Sequence, residues 1–113
     1  MRFEWDENKN QTNLEKHGIE FKTAALVFND PNAVTLLDHG SEDEERWIIM
    51  GMLELSAAIL VVVHTVRESG YEEIIHIISA RTATSREKRV YEEAHENPKK
   101  ADTNYRSKKR RGY

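Results

Sequence analysis

The spacing of apolar residues changes its period along the chain, and each change marks an element. Phe3 to Trp5 reads as a short first strand. Asp6 is a good N-cap, and the polar stretch after it runs as a helix to Gly18, a natural C-cap position. Lys16 and His17 fall in its last turn, where positive charge suits the helix dipole. Phe21, Ala24, Ala25 and Phe28 then recur at the i, i+3, i+4, i+7 spacing of one buried helix face. Asn29 to Asn32, NDPN, breaks that second helix.

Four further segments read as strands. AVTLLDH is the first, followed by an acidic loop, SEDEE, and the strongly β-like RWIIMGML. AILVVVHTVRE and YEEIIHIISA form the clearest hairpin, with Ser69-Gly70 at its turn. A last helix spans about Thr84 to Glu96 and is ended by Pro98; Thr84 and Glu87 fit the S/T-x-x-E capping box. The order β-α-α-β-β-β-β-α predicts an α+β fold, an antiparallel four-stranded sheet with helices packed on one face.

A length of 113 residues suits one domain. Its charge divides unevenly. Residues 1–98 carry 10 Lys and Arg against 19 Asp and Glu, whereas residues 99–113 carry 7 against 1. The expectation is a domain over 1–98 and a basic, flexible tail over 99–113 that follows nucleic acid or folds back on the acidic body. No run approaches the roughly 18 apolar residues of a membrane span, and the N-terminus lacks the apolar stretch of a secretory signal. The absence of cysteine rules out disulfides and is compatible with a cytoplasmic location.

Arg67 and Arg81 both stand at strand ends, where a scaffold can aim them into an open cleft. A guanidinium grips two phosphate oxygens at once and stays charged at working pH. The plainer alternative pairs them with Glu68, Glu72 or Glu87 on a wet surface. Simple alternation groups Ile75, Ile77, Ser79 and Arg81 against Ile74, His76 and Ile78. Whether Arg67 shares the Arg81 face depends on the hairpin register, which two- and three-residue turns set oppositely. His17 is a candidate proton shuttle, or simply a helix-end residue. His64 and His76 lack a third metal ligand at a recognisable spacing and read as interior, hydrogen-bonded histidines. No cofactor or metal is expected. Glu87 and Tyr91 are candidates too, against capping and packing roles, and Trp5 and Trp47 read as core-edge aromatics.

These same segments resemble the BrnT family of toxins, the ribonuclease half of BrnT–BrnA toxin–antitoxin pairs. The likeness runs over FEWDENKNQTNLEKHGIEF, AALVFNDP, ERWIIMG, LVVVHTVRE and IISARTATSREKRVYEE, from Phe3 to Ala94. It implies a RelE-like fold, metal-independent RNA cleavage that inhibits translation, and a DNA-binding BrnA-like antitoxin through which alone the pair reaches operator DNA. It also implies functional positions at Lys16, His17, Arg67, Arg81, Glu87 and Tyr91. The basic extension past Pro98 departs from the family pattern.

The mechanism expected is attack of a ribose 2′-hydroxyl on its adjacent phosphate. His17 or Glu87 would serve as acid–base groups, Arg67 and Arg81 would converge on the phosphate, and Lys16 and Tyr91 would support RNA binding. The rival is a non-catalytic partner- or nucleic-acid-binding module acting through its tail.

Overall fold

The computed structural model describes residues 1–40 and 44–96. Its elements are β1 (Arg2–Trp5), α1 (Glu7–His17), α2 (Phe21–Ala24), β2 (Val34–Asp38), β3 (Arg46–Met52), β4 (Ile59–Ser69), β5 (Glu72–Thr82) and α3 (Ser85–Glu96). The second helix is α-helical only to Ala24 and tightens into a 3-10 turn over Ala25–Asn29. The tail at 99–113, the domain boundary at Pro98 and residues 41–43 of the acidic loop lie outside the described residues.

Local chemistry accounts for the helix ends. Asp6 accepts from the N–H groups of Asn8 at 2.8 Å and Lys9 at 3.4 Å, and α1 closes at Gly18, whose N–H donates to the Leu14 carbonyl. Thr84 N–H donates to Glu87 Oε1 at 2.8 Å, while Glu87 N–H donates to Thr84 Oγ1 at 3.2 Å. The capping box therefore forms as the residue pattern requires.

The sheet departs from expectation in two ways. Its order is β1-β5-β4-β3-β2, and β1 lies parallel to β5 while the other neighbours are antiparallel. Five mixed strands thus replace the four antiparallel strands expected. Phe3 and Trp5 stand in register with Ile75 and Ile77, so the short first strand extends the same apolar face.

Helices also cover both faces rather than one. Phe21, Ala24 and Val27 pack with Ile49, Leu60, Val62, Ile75, Ile77 and Ala80, which define the inner face. Tyr91 of α3 and nearby Ala83 pack with Val34, Met50, Ile59 and Val61 on the opposite, outer face. The cause is composition: β3 after Arg46 and the first half of β4, Ile59 to Val63, are apolar at nearly every position, and a strand apolar on both sides needs cover on both. Gly51 allows the closest approach on the inner face, since a Cβ there would stand 2.8 Å from Val27 Cβ and O.

Ser69 pairs with Glu72, so the hairpin turns at Gly70-Tyr71, one residue later than the sequence suggests. Only the first turn residue has positive φ, 65° at Gly70, as in a II′ turn. No helix among the described residues is long and apolar enough to cross a membrane.

Candidate active site

The β4–β5 ladder contains one irregularity, and it decides where Arg81 points. Arg67 pairs with Ile74 and His64 with Ile77, but Val63 pairs with Ser79, leaving Ile78 without a partner in β4. A bulge shifts the register by one residue and so exchanges the faces beyond it. Arg81 consequently pairs with Val61, and both arginines lie on the outer face. Ser79 and Arg81 are thereby separated from the inward-facing Ile75 and Ile77 with which simple alternation had grouped them.

Sharing a face does not bring the arginines together. Six residues of β4 separate Val61, the partner of Arg81, from Arg67, roughly 20 Å of strand at about 3.3 Å per residue. The expected convergence on one phosphate is not met. Each guanidinium is also held by a carboxylate.

Arg81 donates through Nη1 and Nη2 to the two Glu87 oxygens, both at 2.7 Å, and Glu87 also accepts from Thr84 N–H. Those donors, Arg81 foremost, hold the Glu87 carboxyl at about 2 despite partial burial, which works the other way. Glu87 is a carboxylate at any physiological pH, so its chemistry suits fixing Arg81 better than shuttling protons. Arg81 in turn is held protonated by Glu87. Its side chain stays 41% exposed, leaving it accessible to a ligand.

Lys16 and His17 meet the same end of β5 from its edge. Here β1 has ended, its last pair being Trp5 with Ile77. Asn13 takes over as hydrogen-bond partner: its side chain accepts from Ala80 N–H at 3.0 Å and donates to the Ala80 and Ile19 carbonyls at 2.9 Å. The hollow beside this clamp, about 290 Å³, is lined by Asn8, Lys9, Thr12, Asn13, Lys16, His17, Ile78 and Ser79. His17 and Lys16 thus share a hollow with Ser79, two residues before Arg81.

The Arg67 end is built differently. Arg67 Nη2 donates to Glu4 Oε1 at 3.0 Å, and His76 Nδ1 lies 3.0 Å from Glu4 Oε2. The hydrogen bond from His76 chiefly holds the Glu4 carboxyl below its ordinary value; desolvation, next in size, works the other way, and Arg67 adds to the lowering. His76 is half-exposed here rather than interior. His64, by contrast, is fully buried, with Nδ1 3.3 Å from the Val62 carbonyl and its ring edge-on to Phe28. Tyr91 is buried as well, and its hydroxyl donates to Asp30 Oδ2 at 2.6 Å. Asp30 Oδ2 also accepts from Met52 N–H at 2.8 Å. Trp47 is core, and Trp5 lies at its edge.

Residues 5–87 match the profile of a family described as "Ribonuclease toxin, BrnT, of type II toxin-antitoxin system". The chain belongs to the BrnT toxin family. No curated protein matches it. The match takes in Lys16, His17, Arg67, Arg81 and Glu87; Tyr91 lies beyond it.

Membership in the BrnT family, a ribonuclease family paired with an antitoxin, gives the outer face a significance that net charge conceals. The strands of this BrnT chain carry four arginines, Arg2, Arg46, Arg67 and Arg81, and no lysine. Arg2 pairs with Ile74, as Arg67 does, and Arg46 alternates with Ile48 and Met50, so all four lie on the outer face. The acidic body therefore sorts its strand cations to one side. Sequence reasoning missed Arg2, Arg46, Glu4, His76 and Asn13. Alternation could have paired His76 with Glu4 had the parallel register of β1 been known.

Proposed function

We propose that this BrnT chain is a metal-independent endoribonuclease acting in the cytoplasm, and that RNA lies along the outer face of its sheet. The observation that carries this reading is the placing of all four strand arginines on that face. An RNA strand carries a charge on every phosphate, and cations spread over β1, β3, β4 and β5 match a polymer better than a single small ligand. Arg81, fixed in orientation by Glu87, holds one phosphate of that RNA strand. Lys16 binds a neighbouring phosphate, and His17 carries protons. Arg67, some 20 Å away by strand spacing, grips a different nucleotide of the same strand.

The reaction is attack of the 2′-hydroxyl on phosphorus, with departure of the 5′-oxygen. Cleavage of cellular RNA then inhibits translation. The reading retains a RelE-like fold class, with β1 as an added parallel strand. The type II family implies an antitoxin; in this reading it is a BrnA-like DNA-binding protein that covers the arginine face and alone connects the pair to operator DNA.

The test is incubation of purified protein with RNA in excess chelator, with analysis of the product ends. Cleavage leaving 2′,3′-cyclic phosphate and 5′-hydroxyl ends, retained after deletion of residues 99–113, supports the enzyme. RNA that is bound but uncut, with binding and its salt dependence lost on that deletion, overturns it in favour of a tail-driven binding module.

A further inference from the structure

We infer that His76, oriented by Glu4 and flanked by Arg67, is a catalytic proton-transfer group for phosphodiester cleavage on the outer face of the sheet. The inference rests on the ribonuclease reading and adds to it a residue that the family resemblance did not single out. It puts the attacked phosphate beside His76 and Arg67, with Arg81 on a neighbouring stretch of the same RNA strand.

Three strands assemble the group. Glu4 on β1 and Thr65 on β4 are the cross-strand partners of His76 on β5, and Arg67 follows two residues after Thr65 on the same face. One carboxylate holds both bases, Arg67 on Oε1 and His76 on Oε2, each at 3.0 Å. A carboxylate at neutral pH only accepts hydrogen bonds, so His76 Nδ1 carries the proton that it donates. The lone pair of the neutral ring is then on Nε2. Fixing the tautomer through one nitrogen leaves the other as the base, and the half-exposed side chain keeps it within reach of a ligand. Arg67 spends Nη2 on Glu4 and remains 57% exposed, so its other N–H groups are available to a phosphate oxygen. His17 differs: no described hydrogen bond fixes its ring.

The charged neighbours of His76 are few. β1 and β4, the strands on either side, bring Glu4 and Arg67 to it; Arg2, farther along β1, is paired with Glu72 at 3.5 Å. In the cleavage step His76 Nε2 takes the 2′-hydroxyl proton as the O2′–P bond forms. The P–O5′ bond breaks, and the proton ends on the 5′-oxygen by way of the imidazolium and solvent. The products are a 2′,3′-cyclic phosphate and a 5′-hydroxyl, with no net gain or loss of protons.

The test compares RNA cleavage rates across pH for the wild type, His76→Gln, His17→Gln and Glu4→Gln, with thermal unfolding as the check on folding. His76→Gln is expected to lose at least about 100-fold in rate while remaining folded. Glu4 orients the ring, so a folded Glu4→Gln protein is expected to lose kcat while KM stays near wild type. Wild-type cleavage by a folded His76→Gln protein, or loss of cleavage only in His17→Gln, overturns the inference and leaves the ribonuclease reading intact. A wild type that cuts no RNA at any pH overturns both. If His76→Gln does not fold, an unchanged kcat in folded Glu4→Gln overturns the inference by itself.

Discussion

Arg81 stands opposite Val61 across the β4–β5 ladder because Ile78 is left without a partner. With an unbroken register from the Gly70-Tyr71 turn, Arg81 would pair with Leu60 and face the inner core. One unpaired residue thus determines whether this guanidinium meets solvent or hydrocarbon. Bulges recur where a side chain must be re-aimed, and this one aims the arginine whose position is fixed most firmly.

Arg81→Ala should weaken RNA binding and act mainly through KM. Arg81→Lys should recover little, because an ammonium cannot fill both Glu87 oxygens with a planar fork. Arg67→Ala should reduce kcat by about 100- to 1,000-fold, the usual loss when a preorganised donor to a developing oxyanion is removed. Steady-state kinetics on a defined oligonucleotide separates the two effects.

Glu87 should leave a signature in acid unfolding. Its carboxyl is held at about 2 in the folded protein against an ordinary 4.5. A depressed carboxylate contributes stability that is fully present above the unfolded value and is lost as pH falls through the folded one. Wild-type stability should therefore decline between about pH 4.5 and 2 more steeply than that of Glu87→Gln, as read from urea midpoints across that range.

Asn13→Ala should destabilise the protein by about 2–4 kcal/mol, because it strips partners from the buried N–H and carbonyl of Ala80. Urea denaturation measures the loss. The same variant should weaken cleavage even where it is folded, since the clamp ties the last turns of α1 to the bulged strand.

Tyr91→Phe separates packing from RNA binding. Losing the hydrogen bond to Asp30 should cost about 1–3 kcal/mol, with cleavage by the folded variant near wild type. A large KM rise at unchanged stability would return Tyr91 to the RNA-binding role drawn from the resemblance.

What could be read from the sequence was largely local. Asp6, Gly18 and the Thr84–Glu87 box act within one helical turn, and the residues present are sufficient to indicate them. Arg81 and Glu87 were both candidates, and their direct pairing was one of the alternatives stated. What could not be read was pairing between distant segments. The parallel seat of β1, the bulge at Ile78 and the union of Glu4, Arg67 and His76 all depend on which strand lies beside β5. Alternation gives faces only within an uninterrupted strand, so it grouped Ser79 and Arg81 with Ile75 and Ile77. The apolar runs of β3 and β4 could have signalled cover on both faces, but the expectation followed the element order and gave one.

The central claim is that RNA lies on the arginine-bearing outer face. Its most direct test is NMR titration of the protein with an oligonucleotide made uncleavable by 2′-O-methylation. The account predicts shifts at Arg2, Arg46, Arg67, His76 and Arg81, and none around Leu26 and Leu55, which line a separate apolar hollow of about 560 Å³. Shifts confined to that hollow or to residues 99–113, with the strand arginines unmoved, would contradict it.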